Sequence, residues 1–390
     1  MNFDLTDDQR MLQEGAARYF EKSYEFKQRL ALARDGGGFS RSTWAAFAEM
    51  GWLAAAVPEE LGGLGFGPIE LALIAEEIGR HLVLEPFTAC GVLPASILAH
   101  VGESYRSETL LPQLMSGEVL FAVAHSEPAA RGRVHHVECR AQRSEDGQWR
   151  LDGHKSVVVG ATVADQWLVV ARTAGEVEDA NGLAVFLMSP GTPGVTLQRC
   201  SLADGTPAAD VRLEGVLLPD AALVGPAGAA GPGLQRAIDE AIVVQCAEAV
   251  GSTGDVLALC SEYLKTRKQF GVPIGSFQAL QHRMADMAIE ASQARASLHR
   301  GLQALTTGPE SGRSIDVSGV KAQVVKSARF VAQQGIQLHG GYGITEEYRV
   351  GHHWRRMLLT DAMLGSGSYH LSRYAENLQR TALANRTPVE

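Results

Sequence analysis

The chain has 390 residues, 45% of them hydrophobic, and a formal net charge of -9. That balance lacks the basic face needed to neutralise phosphates, which excludes a nucleic-acid partner. No uninterrupted apolar run approaches the roughly 18 to 20 residues of a membrane span, because Glu85 and Pro86 interrupt even the rich stretch 82–99, and residues 1–9 carry no basic apolar leader. The expectation is a cytoplasmic protein without a membrane partner, large enough for two or three domains.

Apolar residues recur at helical spacing in 9–20, 44–53, 69–78 and 110–114, separated by glycine-rich breaks at 36–38 and 62–67. These predict an N-terminal helical domain over 1–118. From Val119 the texture changes to short β-branched or alternating runs, 157–159, 167–171, 183–187 and 211–218, divided by Gly, Asp and Pro. They predict a middle antiparallel β domain over 119–226. The Gly, Ala and Pro cluster 226–233 marks a return to helix, and the patterns 238–265, 277–305 and 315–338 predict a C-terminal helical bundle over 227–390.

Several simpler chemistries are disfavoured. Cys90, Cys139, Cys200, Cys246 and Cys260 form no CxxC pair and read as reduced, mostly buried thiols. The pairs His135-His136 and His352-His353 lack the i, i+4 spacing beside a helical carboxylate, so no metal is expected. The glycines at 63–67 lack the preceding strand and following helix of a dinucleotide fingerprint. Asn385-Arg386-Thr387 has the form of a glycosylation sequon, which has no meaning without a secretory signal.

Two motifs carry the functional signal. The first is Arg267-Lys268-Gln269-Phe270-Gly271-Val272-Pro273-Ile274-Gly275-Ser276-Phe277-Gln278, followed by Gln281 and Ala285-Asp286-Met287; the second is Gln337-Leu338-His339-Gly340-Gly341-Tyr342-Gly343. In this order they resemble the signature of acyl-CoA dehydrogenases, flavoenzymes that desaturate acyl thioesters. The order helical, β, helical, with Pro58 to Gly65 and Leu111 to Glu118, extends the likeness over nearly the whole chain. The resemblance implies the acyl-CoA dehydrogenase fold, with a C-terminal four-helix bundle, and FAD as cofactor. Desaturation needs a base for the α proton and an acceptor for the β hydride, and side chains cannot accept a hydride.

The resemblance also assigns residues. Arg267 offers a planar fork of donors suited to a pyrophosphate. Phe270, three residues on, is expected on the same helical side for packing against the cofactor. Gln278 belongs to the same block; Gln337 can donate and accept, and Gly340 and Gly341 allow close backbone approach. In the family these segments reach the FAD of a neighbouring chain. Ala124-His125-Ser126-Glu127-Pro128 resembles the strand along the flavin ring, which gives Ser126 a hydroxyl contact and His125 a backbone one. Arg131-Gly132-Arg133 replaces the Gly-Ser-Asp that normally follows. In Lys155 to Gly160, three valines stand where many relatives have an aromatic and a hydroxyl residue, leaving Val157 and Val159 to line the pocket without side-chain hydrogen bonds.

The catalytic base is the gap. Leu364 stands where many relatives carry the glutamate that removes the α proton, and leucine cannot do so at any pKa. Some relatives place the glutamate at the position of Ala241, which makes the neighbouring Glu240 the first candidate, with Glu248 and Asp361 behind it. Trp354-Arg355-Arg356 and Leu364 to His370 resemble the small subunits of heteromeric bacterial acyl-CoA dehydrogenases, the pimeloyl-CoA type among them, and the related steroid side-chain dehydrogenases. Three readings follow: a subunit of a heterotetrameric dehydrogenase with a second, base-bearing chain; a self-sufficient homo-oligomer with a relocated base; and a catalytically silent flavin-sharing partner. The resemblance implies an acyl-CoA substrate from fatty acid or steroid catabolism, with electron-transfer flavoprotein as electron acceptor.

Overall fold

Capping chemistry fixes where the first helix starts. In the computed structural model, which describes residues 4–34 and 37–384, the Thr6 hydroxyl accepts from the Gln9 N–H and the Gln9 side chain accepts from the Thr6 N–H, a reciprocal cap that opens α1 (Asp7–Ser23). The helices α2 (Phe26–Arg34), α3 (Arg41–Glu49), α4 (Pro68–Arg80), α5 (Leu93–Val101) and α6 (Ser104–Met115) follow, with a π-helical segment Phe87–Val92 leading into α5. The sequence patterns missed α2, which is short and only weakly amphipathic, and α5, whose residues are apolar all round. The sequon 385–387, residues 1–3 of the leader expectation and Gly36 lie outside the described residues.

Long helices dominate the C-terminal part: α7 (Gly231–Thr266), α8 (Gln278–Thr306), α9 (Glu310–His339), α10 (Arg349–Ala362) and α11 (Gly367–Ala384). By length and composition α7 could cross a membrane, although no uninterrupted apolar run marks it in the sequence. Its apolar window is, however, 72% buried within the protein, as in a core helix.

The chain forms two compact units that are not contiguous in sequence. The first comprises Met1–Lys27, Ala72–Val83 and Ile242–Glu390. Here α8, α10 and α11 all pack on α9, around a core of Val256, Cys260, Leu264, Met287, Val331 and Leu338. Glycine allows one crossing: a Cβ at Gly79 would meet the Glu248 carbonyl at 1.8 Å, and one at Gly251 would meet that of Glu76 at the same distance. Lys321 is fully buried, and its ammonium donates to Gln245 Oε1 and to the carbonyls of Thr360 and Met363. Burial lowers its pKa to about 8.

The second unit, Gln28–Leu71 with Leu84–Ala241, holds the sheet. Its strands are β1 (Phe121–Ala124), β2 (Arg140–Arg143), β3 (Trp149–Val159), β4 (Gln166–Arg172), β5 (Leu183–Met188), β6 (Val195–Ser201) and β7 (Pro207–Leu218), in the order β1-β4-β2-β3-β7-β6 with β5 also on β4. The antiparallel expectation describes most pairs, but β1 runs parallel to β4 over Phe121–Ala124. Arg172, fully buried, supplies what a loop-rich edge lacks. Its guanidinium donates to the carbonyls of His135, Val137, Ala174, Val177, Asp179 and Asn181, satisfying acceptors that would otherwise be stranded. Cys90, Cys139, Cys246 and Cys260 are buried free thiols, and Cys200 is exposed.

Candidate functional site

In the helical unit, α7 ends at Thr266 and the block after it is not helical. Lys268–Gln269 (β8) and Val272–Pro273 (β9) pair as a hairpin, closed by Phe270 and Gly271 at φ +53 and +84. Two positive φ values in a two-residue loop define a type I′ turn. The expectation that Phe270 shares a helical side with Arg267 is therefore corrected: the I′ turn sets the direction of its ring. A left-handed phenylalanine costs about 1–2 kcal/mol. Its ring is 92% exposed, with one edge-to-face neighbour, Phe277, at 6.1 Å.

Arg267 closes α7 by donating its N–H to the Tyr263 carbonyl at 2.8 Å and anchors the hairpin by accepting the Ile274 N–H at 2.8 Å. Its exposed guanidinium makes no hydrogen bond or ion pair with any described residue. Gln278, the first residue of α8, and Gln337, in the last turn of α9, are also exposed. Gly340 ends α9 at φ +58, ψ -138, a conformation essentially reserved for glycine. A Cβ added at Gly340 or Gly341 would meet nothing within 4 Å. The Tyr263 ring, one turn before Arg267, lies 4.4 Å from the His339 ring, so the ends of α7 and α9 sit together. An unpaired guanidinium, an unsatisfied aromatic face and open space beside a glycine pair form a donor set that suits an anionic, flat group, and FAD fits it.

The flavin-side residues of the sequence reading lie in the sheet unit. Ser126 is exposed; its carbonyl accepts the Ser156 N–H at 2.9 Å, which joins the segment after β1 to β3. The His125 ring donates to the Val134 carbonyl at 2.8 Å. Burial and the charge of Lys155 pull its pKa down to about 4, so it is neutral. Beneath them Lys155 pairs with Glu127 at 2.6 Å, both fully enclosed. A register shift between Lys155 and Val158 then breaks the alternation of β3. Val157 turns out at φ +51 with 38% exposure and donates its N–H to Asp210 at 2.8 Å, while Val158 is buried and Val159 half-buried. A β-branched residue at positive φ is a true outlier. Val157 and Val159 consequently do not share a face in the way plain alternation implies. Arg131, at φ +49, presents an exposed guanidinium with no partner among the described residues.

The candidate bases are all engaged. In the sheet unit, Glu240 accepts from Ser96 at 2.6 Å and from Arg236 at 2.5 Å, with His100 3.4 Å away. Burial alone would raise its pKa, but His100, Ser96 and Arg236 together hold it at about 2. A carboxylate this acidic has little affinity for an α proton at neutral pH. In the helical unit, Glu248 is buried against Arg356 at 3.4 Å. Asp361 accepts from Arg329 at 2.7 Å and from the Gly367 N–H at 2.8 Å, as the cap of α11. Leu364 sits at φ +56, its carbonyl accepting from His370 Nε2 at 2.9 Å. Burial keeps His370 neutral, with a pKa near 4.

Sequence reasoning passed over the Lys155–Glu127 pair, Lys321 and the aromatic residues around His339. None of them gives a clear signal: Lys155 lies among Arg150, Asp152, His154 and Ser156 in β3, so its burial cannot be read from the strand's composition.

Comparison with known proteins gives the family. Residues 6–118 match the model of the acyl-CoA dehydrogenase N-terminal domain, 122–216 the middle domain and 234–379 the C-terminal domain. The chain is 30% identical over 385 residues to the probable acyl-CoA dehydrogenase YngJ of Bacillus subtilis (strain 168), covering 96% of this chain and 98% of that one. Among solved structures it is similar to butyryl-CoA dehydrogenase from Megasphaera elsdenii, with a TM-score of 0.88 and 25% identity over 97% of this chain and 100% of that one. It is also similar to a chain of the ChsE4-ChsE5 complex from Mycobacterium tuberculosis, with a TM-score of 0.85 and 27% identity, covering 100% of this chain and 100% of that one. The chain belongs to the acyl-CoA dehydrogenase family, FAD-dependent oxidoreductases acting on CH–CH groups.

Proposed function

We propose that this chain is one subunit of a two-chain FAD-dependent acyl-CoA dehydrogenase and that a second, base-bearing chain completes the reaction, the α,β-desaturation of an acyl-CoA thioester. FAD, when bound, supplies the hydride acceptor. In this reading Arg267, Phe270, Gln278, Gln337, Gly340 and Gly341 grip FAD belonging mainly to the partner, while Ser126, with His125, Val157 and Val159, borders this chain's own flavin side. The carrying observation is the contrast between a grip whose polar side chains find no partner among the described residues and a leucine, Leu364, where many relatives carry the glutamate. Similarity to a complex of two named chains, ChsE4 and ChsE5, supports the pairing.

The substrate in this reading is a bulky or dicarboxylic acyl-CoA, the steroid side-chain type included, and electron-transfer flavoprotein takes the electrons. The division 1–118, 119–226 and 227–390 and a cytoplasmic location belong to the same proposal. The relocated base is disfavoured, because Glu240 is held as an anion by three partners.

The test is co-expression with a candidate partner, a second acyl-CoA dehydrogenase chain taken from among neighbouring gene products. Anaerobic bleaching of the flavin by a panel of acyl-CoA thioesters is expected only for the pair. A chain that alone binds one FAD per protomer and is bleached by an acyl-CoA ends the two-chain reading.

A further inference from the structure

Four aromatic rings close on one another around the end of α9. Tyr263 lies 4.4 Å from His339, His339 4.9 Å from Tyr348, Tyr348 4.4 Å from Tyr342, and Tyr342 6.2 Å from Tyr263. His339 precedes the glycine pair and Tyr342 follows it, so both ends of the Gly340-Gly341 turn are fixed while the space beside the glycines stays open. Behind the turn there is none: a Cβ at Gly343 would stand 2.9 Å from the Ile336 carbonyl and 3.0 Å from His339 Cβ.

The hydrogen bonds define the tautomer. His339 Nδ1 lies 2.7 Å from the Gly335 carbonyl, which can only accept, so Nδ1 carries the proton. Nε2 is then an acceptor, and the Tyr348 hydroxyl donates to it at 3.1 Å. Burial favours this neutral state in both partners, lowering the pKa of His339 and raising that of Tyr348 to about 12. Neither ring is needed to end the helix, because the Gly340 N–H already caps it on the Gln337 carbonyl.

We propose that His339, oriented by the Tyr348 hydroxyl and flanked by Tyr263, is a positioning residue that holds the Gly340-Gly341 turn preformed for FAD. This rests on the function proposed above. A preformed turn binds without first losing conformational freedom, so loosening it weakens FAD binding more than it weakens the fold.

The experiment titrates FAD into flavin-stripped protein, as the complex with its partner chain or as the homo-oligomer if none assembles, and follows flavin fluorescence. Unfolding of the flavin-free form is measured in parallel. Tyr348→Phe keeps the ring and removes only the donor to His339; by loosening the turn it is expected to weaken FAD binding about fivefold, with a fall in the unfolding midpoint of the flavin-free form, from the unsatisfied His339 nitrogen, smaller than that of Leu298→Ala. Leu298→Ala, a truncation of a buried residue on α8, is expected to lower that midpoint and leave FAD affinity within twofold of wild type. The inference is overturned if Tyr348→Phe binds FAD as tightly as wild type, or if Leu298→Ala weakens binding equally. If wild type in neither assembly binds FAD, the proposed function itself fails and this inference with it.

Discussion

The Lys155 ammonium lies 2.6 Å from Glu127 Oε1, and neither side chain reaches solvent. The N–H groups of Glu138 and Cys139 complete the carboxylate's shell. Burial would raise the Glu127 pKa, but Lys155 and these two donors lower it overall. Removing one partner strands the other, so Lys155→Met is expected to cost about 3–5 kcal/mol. Adding Glu127→Gln to that variant recovers part of the loss. Equilibrium denaturation of the single and double variants measures both; a single-variant loss below about 1 kcal/mol contradicts the prediction.

Acid destabilises this protein in two stages. His125 and His370 have native pKa values of about 4 against an ordinary 6.5. The unfolded state therefore takes up their protons first, and their contribution is fully present above pH 6.5 and lost as pH falls toward 4. Glu240, at about 2 against 4.5, follows: its contribution is present above pH 4.5 and lost toward pH 2. The His370 shift corresponds to about 3 kcal/mol. His370→Gln should flatten the fall of Tm between pH 6.5 and 4; an unchanged slope removes His370 from the account.

Glu240→Gln separates a structural anion from a base. Its ties to Ser96, Arg236 and His100 predict a stability loss of about 1–3 kcal/mol, together with a weaker response to pH below 4.5. Turnover of the assembled enzyme is expected to hold. A collapse of kcat with unfolding unaltered returns Glu240 to the role of base.

Arg267→Ala should leave unfolding nearly unaltered, since the guanidinium makes no hydrogen bond or ion pair with a described residue, and should weaken FAD binding about 10- to 100-fold through lost charge-assisted hydrogen bonds. Phe270→Asn is more discriminating. Asn-Gly is the preferred type I′ pair, so relief of left-handed strain should stabilise the hairpin by up to about 1 kcal/mol while FAD affinity drops. Flavin titration beside thermal unfolding reads both; unchanged affinity in both variants removes this arm from the cofactor.

Much of the architecture was legible because long periodic helices announce themselves. The patterns at 238–265 and 315–338 lie within α7 and α9, and that at 277–305 matches α8 to within one residue at each end. Short β1, β2 and β6 were not legible: four to seven residues with mixed exposure give no clear period. At the site, the motif identified Arg267, Phe270 and the glycines but misjudged the direction of Phe270, because a hairpin turn and a fraying helix end look alike over four residues. Val157 escaped for the same kind of reason, since nothing in Lys-Ser-Val-Val-Val encodes the bulge that Asp210 supports from another strand.

The sequence by itself determined the family, the residue types proposed to grip FAD and the leucine at 364, since these depend on which side chains exist and in what order. Only the tertiary structure decided that Glu240 is a tied anion, that Lys155 faces Glu127 and that four rings brace the glycine turn. Each of those facts is a distance between residues remote in the chain, and the pKa of a carboxylate or imidazole is set by such neighbours and by burial, not by its own position in the sequence.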